Sequence, residues 1–583
     1  MPDTSGLLSQ VYVTIAGANA SERFVRDTIE VTVESSLHLP DVAVIVLKDA
    51  SLQWIDDASL VPGTAITIET KAGRSSQVQF DGEIVELEPD FGAGVQRLVV
   101  RAFDRLHRLA RGRHVRSFLN VSDGDLVRTI AREVGLQASV DPTPQTYPYV
   151  LQSNETNARF LQRRSAALGY MVFVRGKTLH CERLRSEGAT VELAWGATLS
   201  EFRPRMATGE QVDGVTVRGW DPTAKQALTG QATTGRGVPQ VGEHRSGGEI
   251  AHQAFNVAAQ CLVADRPIRT QTDADALAQA VVDRIAGRFI EAEGSCGGNP
   301  AIVAGVAVHI TSVGDRFSGT YTVTRATHSY GAAHGYTTQF SISGQSASNL
   351  FSLLAPDADS AAGTGTGMGT GLAVGIVTDN QDPDGQGRVK VMYPWLSGDH
   401  SSHWARVAVP GGGAGRGIEF LPEVNDEVVV GFELGDMEYP YVLGGLWNGR
   451  DAPPQTNNQV VSGGQVQKRI IRSRAGHCIT LDDSDGGGGV TIVDKNGNTI
   501  TLDSGSNKLT ITVKGDLSFE AKGAVKITGK GVSVDGGSSA VEVKGMGVSL
   551  DAGSGAFEGK GMGATLDGGG GAVDLSGSTI NLN

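Results

Sequence analysis

The feature that most limits the possible fold is a repeat near the C-terminal end of the chain. The blocks GVSVDGGSSAVEVKGM, GVSLDAGSGAFEGKGM and GATLDGGGGAVDLSGS align column for column, so that Asp535, Asp551 and Asp567 lie 16 residues apart. The glycine that opens each block keeps the same spacing. A fixed short period with a fixed apolar column predicts a β-solenoid, in which each rung stacks on the next.

An eight-residue step within this period supplies a predicted core column. Its seven members are all apolar: Val532, Ala540, Val548, Ala556, Ala564, Ala572 and Ile580. One octad of extended chain spans only about 26 Å, which is too short for one chain to close a coil around its own core. Three chains winding together would cover that core, with one strand from each chain at every level. If each octad climbs one ladder spacing of about 4.8 Å, the shaft is on the order of 70 Å long.

The rest of the chain is predicted to be mainly β and multidomain, because short alternating runs are separated by Pro, Gly and Asp. About five short strands in a compact segment favour a small barrel of the OB type before the repeat. The predicted domains are a first β-barrel (1–104), an α/β insert (105–190), a second β-barrel with a long helix (191–350), a Gly/Thr-rich linker (351–371), an OB-like barrel (372–450), a connector (451–464) and a β-helical needle (465–583).

Helix signals lie in the insert and in the second β-rich region. Ser122 with Asp125 three residues later predicts an N-terminal cap, and residues 157–168 predict a second helix. Thr272 with Asp275 predicts the start of the long helix. Its expected buried stripe consists of Leu277, Val281, Ile285 and Phe289. In the OB-like barrel, the expected core anchors are Trp395, Trp404 and Trp447.

Composition excludes several classes of function. A net charge of −14 argues against nucleic-acid binding, and we interpret the one basic stretch, Arg105–Arg116, as a solvated or subunit-facing surface. The four cysteines form no CxxC pair, which is typical of a reduced compartment and excludes a disulfide framework or zinc ribbon. The N-terminus lacks the pattern of a signal peptide, and no apolar run approaches the roughly 20 residues of a membrane span. We therefore expect synthesis in the cytoplasm.

Two short motifs imitate ligand sites. Asn380, Asp382, Asp384 and Gly385 resemble the start of an EF-hand loop, but the twelfth position is Val391, where calcium binding requires a bidentate Glu. We interpret this segment as a turn between strands. The run GGGAGRG at residues 411–417 lacks the GK[ST] ending of a phosphate loop and is interpreted as a tight barrel loop.

A dense group of carboxylates raises the possibility of a glycosidase-like pair, but these residues alternate with Val and Phe, which is typical of a solvated sheet face. The group comprises Glu423, Asp426, Glu427, Glu433, Asp436 and Glu438. The sequence contains no GxSxG or HExxH motif. We accordingly predict no catalytic, cofactor-binding or metal-binding residues.

Long ordered motifs carry a family resemblance over nearly the whole chain. They include FDRLHRLARGRHVRSFLNVSDGDL, WGATLSEFRPR and VGDRFSGTYTVTRATHSY in the first 350 residues, then GIVTDNQDPDGQGRVKVMYPWLS, WARVAVPGGGAGRGIEFLPEVNDEVVVGFELGD and RIIRSRAGHCITLDD. The chain resembles the VgrG (valine-glycine repeat) spike family of type VI secretion, phage tails and extracellular contractile injection systems.

The resemblance implies a homotrimer whose first two barrels form a hub. Three hubs would make a pseudo-sixfold ring that matches a hexameric tail tube, with the OB-like barrels and the needle below it. Implied partners are tail-tube or hub-adaptor and baseplate proteins and a PAAR-like tip protein; effector cargo could be another. The particle would contact the target membrane transiently, so that the spike ends outside or in the target cell after firing. We expect the tip protein on Thr579, Ile580, Asn581, Leu582 and Asn583, because the column ends there and the last strand edges have no following rung.

Two other functions remain open at this point. A spike could carry an envelope-degrading hydrolase, although only about 15 residues separate Gly449 from Gln465, too few for a catalytic domain. A receptor-binding tail fibre would explain the needle but leaves the hub and barrel motifs without a purpose.

Overall fold

The computed structural model describes residues 10–581, apart from 73–74, 93, 95, 144, 186, 332–334 and 346–370. The predicted linker lies outside the described residues except for Gly371. The chain divides into two compact units, residues 1–452 and 453–583. Among the described residues, no helix combines the length and the apolar character that a membrane crossing demands.

The first β-rich region alternates buried and half-buried residues along its strands, as a sheet with one covered face requires. Its core includes Val33, Ile45, Leu47, Ile68 and Phe80. The elements are β1 (Gln10–Ile15), β2 (Ala18–Asn19), α1 (Glu22–Asp27), β3 (Thr28–Ser36), β4 (Val42–Lys48), β5 (Ala65–Ala72), β6 (Ser75–Asp90) and β7 (Arg97–Phe103).

The insert packs two helices against short sheets around its own core, which includes Ile130, Val150 and Phe160. Its elements are a 3-10 helix (Arg105–Ala110), β8 (His114–Ser122), α2 (Asp123–Glu133), β9 (Gln137–Val140), β10 (Thr146–Glu155), α3 (Asn157–Ala167), β11 (Tyr170–Arg175) and β12 (Thr178–Arg183). The predicted cap is confirmed, since Asp125 N–H donates to Ser122 Oγ at 3.2 Å and Ser122 N–H donates back to the Asp125 carboxylate at 3.1 Å.

The second β-rich region also contains two helices. Its elements are β13 (Glu187–Ala194), β14 (Leu199–Met206), β15 (Gly214–Asp221), β16 (Gln226–Ala232), β17 (Gln240–Val241), α4 (Gly247–Phe255), β18 (Gln260–Val263), α5 (Gln271–Gly287), β19 (Ile290–Gly297), β20 (Val306–Thr311), β21 (Gly319–Thr322), β22 (Arg325–Gly331) and β23 (Gly335–Ile342).

The two β-rich regions share one continuous sheet. Its eleven strands run in the order β14-β19-β23-β22-β3-β4-β7-β6-β5-β1-β2. The connection is the antiparallel pairing of β22 with β3, in which Tyr330 lies opposite Val31. Tyr330 also joins the first core and exchanges a 2.5 Å hydrogen bond with Thr70. Four strands of the second region (β14, β19, β22 and β23) therefore continue the sheet of the first region, and its other strands form separate sheets.

The long helix α5 begins two residues earlier than the sequence predicted. Thr270, not Thr272, is the N-cap residue, and its side chain accepts the N–H of Asp273. Leu277 and Val281 are buried in the helix as expected, whereas the buried Phe289 follows the helix end.

The OB-like barrel is a five-stranded sheet in the order β25-β24-β27-β28-β26. Its elements are β24 (Ala373–Asp379), β25 (Lys390–Met392), β26 (Arg406–Val407), β27 (Glu427–Phe432), a 3-10 turn (Glu433–Gly435) and β28 (Pro440–Gly445). The predicted tryptophan anchors are wrong, because Trp395 is 47% and Trp447 71% exposed, and Trp404 is only half-buried. Smaller residues fill the core instead, mainly Val377, Val389, Val391, Ala405, Val428, Val430 and Val442.

The C-terminal unit begins with short elements and continues as an antiparallel meander. The elements are α6 (Asn457–Val460), β29 (Val461–Ser462), β30 (Gln465–Val466), β31 (Lys468–Arg472), β32 (Cys478–Asp482), β33 (Gly489–Val493), β34 (Thr499–Asp503) and β35 (Lys508–Thr512). Strands β31 to β35 pair in sequence order into a five-stranded sheet.

The 16-residue repeat is confirmed in the local geometry beyond β35. The carboxylates of Asp535, Asp551 and Asp567 each accept the N–H of the glycine two residues later at 2.8 Å. Those glycines have φ values of 58°, 55° and 57° in the left-handed region, which a side chain would strain. Each repeat thus closes the same turn.

Candidate functional site

Strands β31 to β35 expose an apolar surface that a single chain leaves uncovered. Cross-strand pairing aligns Ile471, Ile479, Ile492, Ile500 and Ile511 in one column across all five strands. A second column contains Leu481, Val490, Leu502 and Leu509. We call these nine residues the apolar sheet face. The five isoleucines are 39–54% exposed, and Leu502 and Leu509 are 47% and 59% exposed.

The opposite face of the same sheet is mainly polar, although it also carries Ile470 and Val493. Thr480, Thr491, Thr501 and Thr510 lie side by side in one register row. Threonine suits a pleated surface that contacts water. Only one face of the sheet therefore requires a partner, since a contiguous exposed apolar patch marks an interaction site.

The predicted needle column is also exposed in the single chain. Val532, Val548 and Ile580 are 61%, 55% and 51% exposed, and the four alanines of the column are exposed as well. Of the predicted tip-docking residues, Thr579, Ile580 and Asn581 are exposed, whereas Leu582 and Asn583 lie outside the described residues. A single chain does not bring either set into a core, so both remain predictions.

A second candidate surface is the joint between the insert and the OB-like barrel. Tyr149 and Leu151 of β10 belong to the barrel core, although they precede it by more than 200 residues. The Tyr149 hydroxyl donates to the Ser401 carbonyl oxygen at 3.1 Å, and its ring stacks on His403 with centroids 5.7 Å apart. The insert thus completes the barrel through a contact that no sequence pattern indicated.

A buried ionic group flanks this joint. Arg164 of α3 donates to Asp123 at 2.6 Å, lies over the Tyr147 ring, and approaches Glu438 of the barrel to 3.9 Å. The Leu151 N–H donates to Glu438 at 3.2 Å. Burial raises the pKa of Glu438 to about 7; Arg164 opposes this shift and Asp436 adds to it.

Helix α5 and the segment before it contribute further contacts. Arg269 pairs with Glu433, which also accepts the Tyr441 hydroxyl at 2.6 Å. Tyr147 O–H donates to Asp273 at 3.0 Å. A cavity of about 500 Å³ between β10, α5 and the barrel borders these groups. Sequence analysis missed this site because Glu433 and Glu438 looked like a solvated face, and that interpretation is wrong for both: their side chains are 20% and 13% exposed.

The EF-hand-like segment is a turn, as the sequence indicated. The Asp382 carboxylate accepts the N–H groups of Asp384, Gln386 and Arg388 and is bound by the Arg388 guanidinium. Both carboxylate oxygens of Asp382 thus accept hydrogen bonds from the turn itself. The turn joins β24 to β25. The glycine run at 411–417 is an exposed loop closed by pairing of Gly413 with Arg416.

The basic stretch is not a solvated surface over its first half. The side chain of Arg105 is 8% exposed and donates to Asp81 and to the Gly176 carbonyl oxygen. His107 and Arg108 both contact Glu83. Arg105 and Arg108 are thus paired with carboxylates, so this half of the stretch forms no basic patch. Within the described ranges, no three His, Cys, Asp or Glu side chains are grouped as metal ligands.

Two family models match the chain. Residues 5–331 match the Alg8 N-terminal domain, and residues 373–447 match the type VI secretion system/phage-baseplate injector OB domain. The match over residues 373–447 makes the barrel similar to the injector OB domain, and VgrG spike proteins are similar to the chain over short segments. Because the first model spans more than half of the 583 residues, the chain belongs to the Alg8 N-terminal domain family.

Curated relatives match over short segments. The type VI secretion system spike protein VgrG3 of Vibrio cholerae is 37% identical over 75 residues, covering 12% of this chain and 7% of that protein. The spike protein VgrG2a of Pseudomonas aeruginosa is 39% identical over 107 residues, covering 17% and 12%. The actin cross-linking toxin VgrG1 of Vibrio cholerae is 34% identical over 77 residues, covering 12% and 7%. The chain thus matches only a small part of these relatives.

Solved structures share the fold at low sequence identity. A chain of the lidded Francisella PdpA–VgrG complex gives a TM-score of 0.52 at 9% identity, covering 88% of this chain and 81% of that chain. A chain of the lidless complex gives 0.50 at 10% identity, covering 86% and 98%. The likeness extends over most of the chain, which makes the multidomain, mainly β architecture a shared one.

Proposed function

We propose that this chain is the central spike of a contractile injection machine, acting as a homotrimer that joins a tail tube to a piercing needle. The observation that carries the proposal is the apolar sheet face, nine Ile, Leu and Val residues in two aligned columns that one chain leaves in contact with water. The VgrG spike relatives and the injector OB domain support the same role.

Three copies would cover this surface with one another's sheets. Full burial of one exposed Ile or Leu side chain contributes about 1.5–3 kcal/mol. Because the side chains of this face are about half-exposed, about half of that remains for each, and a ladder of nine in each of three chains can still offset the entropy of association. The needle column Val532, Ala540, Val548, Ala556, Ala564, Ala572 and Ile580 would continue the same shared core toward the C-terminus. The needle would thereby acquire closed strand edges and axial stiffness.

A charge on the apolar sheet face tests the assembly. The native chain should be a trimer of roughly three times 60.8 kDa by light scattering. Ile492→Glu should shift the mass toward the monomer, because three carboxylates would be buried near one axis. Thr491→Glu is the matched control, since the neighbouring residue lies on the polar face and should leave the trimer intact. A folded native monomer at micromolar concentration would rule out the trimer.

The tip-docking role of residues 579–583 is part of the same proposal. A PAAR-like protein would cover the last strand edges of all three chains. Deleting residues 576–583 should abolish capture of the tip protein while the trimer persists. Equal recovery of the tip protein by native and shortened spikes refutes this docking model.

The proposed role is mechanical, without a catalytic step in this chain. Tail-tube and baseplate proteins would bind the hub, and the needle would touch the target membrane only during firing. A solved VgrG relative occurs in a complex with another protein, PdpA, which supports protein partners at this kind of spike.

A further inference from the structure

The joint between the insert and the barrel buries the carboxyl group of Glu438, and the nearest cations each pair with another carboxylate. Arg164 donates to Asp123 at 2.6 Å, and Arg163 donates to Glu155 at 2.9 Å. Glu438 lies 3.9 Å from Arg164, beyond hydrogen-bond distance. Its direct donor is the Leu151 N–H. Ionised Glu438 would therefore be buried with a counter-charge that it shares with Asp123.

The other elements at the joint do not supply the missing positive charge. Arg269 is paired with Glu433, and Arg266 with Asp265 at the edge of a neighbouring cavity. Arg388 is bound by Asp382 and Asp384 across the larger cavity, where burial also lowers the pKa of His403. The other charged or titratable groups that line the two cavities are Asp221, Asp273, Asp436, Tyr147, Tyr149, Tyr439, Tyr441 and the exposed Arg406.

We propose that Glu438 is a proton-sensitive clamp that holds β10 of the insert against the OB-like barrel when protonated and weakens this contact when ionised. The geometry supports the clamp in two ways. Neutral Glu438 accepts the Leu151 N–H beside the apolar barrel core without carrying a charge into it. Ionised Glu438 adds a negative charge beside Asp436, and the adjoining cavity of about 500 Å³ gives water a route to it.

The sign of the pH effect follows from linkage. Because burial raises the pKa of Glu438 from 4.5 to about 7, the docked state binds the proton more tightly than an undocked one. The extra docking stability is complete below pH 4.5 and is lost as the pH rises from there to about 7. A shift of this size changes the docking equilibrium on the order of a hundredfold.

The Leu151 amide provides a direct readout, since Glu438 is its acceptor. In the full-length protein, hydrogen exchange of β10, corrected for intrinsic rates, should show on the order of a hundredfold less protection at pH 8 than at pH 5. Glu438→Gln keeps an acceptor oxygen and is neutral at every pH. At pH 8 this variant should show the same protection of β10 that the native protein shows at pH 5.

Two further variants separate the clamp from a general effect of charge. Glu433→Gln removes a neighbouring barrel carboxylate that has its own partner Arg269, and should keep the native pH response. Asp436→Asn keeps its acceptor for the Glu438 N–H but removes a charge that raises the Glu438 pKa, so the midpoint should move to lower pH. Equal β10 protection at pH 5 and pH 8 in the native protein overturns the proposal. A pH response in Glu438→Gln like that of the native protein also overturns it.

Discussion

Replacing Asp382 with asparagine should locally open the barrel turn between β24 and β25. The Asp382 side chain is 4% exposed and accepts five hydrogen bonds: three from backbone N–H groups at 2.9–3.2 Å and two from the Arg388 guanidinium at 2.9 and 2.6 Å. An amide at this position would keep one acceptor oxygen but would point its NH₂ group at N–H donors of the turn. It would also leave Arg388 without its main partner. Breaking a buried, hydrogen-bonded ion pair in this way costs about 3–5 kcal/mol.

Hydrogen exchange of the β24 and β25 amides measures this loss as a fall in the local free energy of opening. Asp384→Asn is the matched control, because Asp384 also binds Arg388 but is 61% exposed, so it should cost no more than about 1 kcal/mol. The Arg388 hydrogen bonds hold the pKa of Asp382 well below its usual range, so its contribution is present above about pH 4 and is lost as the pH falls. Millimolar calcium should leave the local free energy of opening unchanged. A cost below about 1 kcal/mol for Asp382→Asn, or stabilisation by calcium, would refute the reasoning.

Three other predictions concern separate regions. Ser122→Ala should cost about 1 kcal/mol in the first turn of α2, measured by amide exchange; no loss there would contradict the capping role. Burial lowers the pKa of His328 to about 4, so stability should fall as the pH drops from 6.5 toward 4, and His328→Gln should flatten this part of the thermal denaturation profile. An unchanged profile in that variant would show that His328 is not the source of the pH dependence. The trimer should not clear purified cell walls; clearing above a buffer control that a carboxylate substitution abolishes would reveal an unnoticed active site.

Local patterns predicted local structure well. The 16-residue spacing of Asp535, Asp551 and Asp567 predicted repeated units, and each closes the same turn, because an Asx hydrogen bond and a left-handed glycine are set by adjacent residues. The cap at Ser122 was predicted for the same reason. At α5, two threonines each have Asp three residues later, and local pattern could not rank them. The Tyr147 hydroxyl binds Asp273 and not Asp275, so a tertiary contact favours the earlier start.

Contacts between distant segments could not be predicted from such patterns. Alternation with apolar residues made Glu438 look solvated, yet a strand 287 residues earlier covers it. The tryptophans failed as anchors for a related reason, since a large aromatic side chain is as useful on a surface that meets another protein as in a core. Trp447 is 71% exposed within its own chain. In the proposed trimer the register of the needle would be set by contacts between chains, which the sequence of one chain does not determine.

Because of the repeated Asp–Gly turns, the length of the proposed needle would change by whole 16-residue blocks. Each turn closes with its own residues, so removing or adding a whole 16-residue block leaves every remaining turn intact and changes a shaft of one octad per level by about 10 Å. An eight-residue change is different. It preserves the predicted core column, which steps by eight residues, but it breaks the 16-residue spacing of the Asp–Gly turns. In the proposed spike, duplicating one small block would therefore lengthen the needle without redesign of its core.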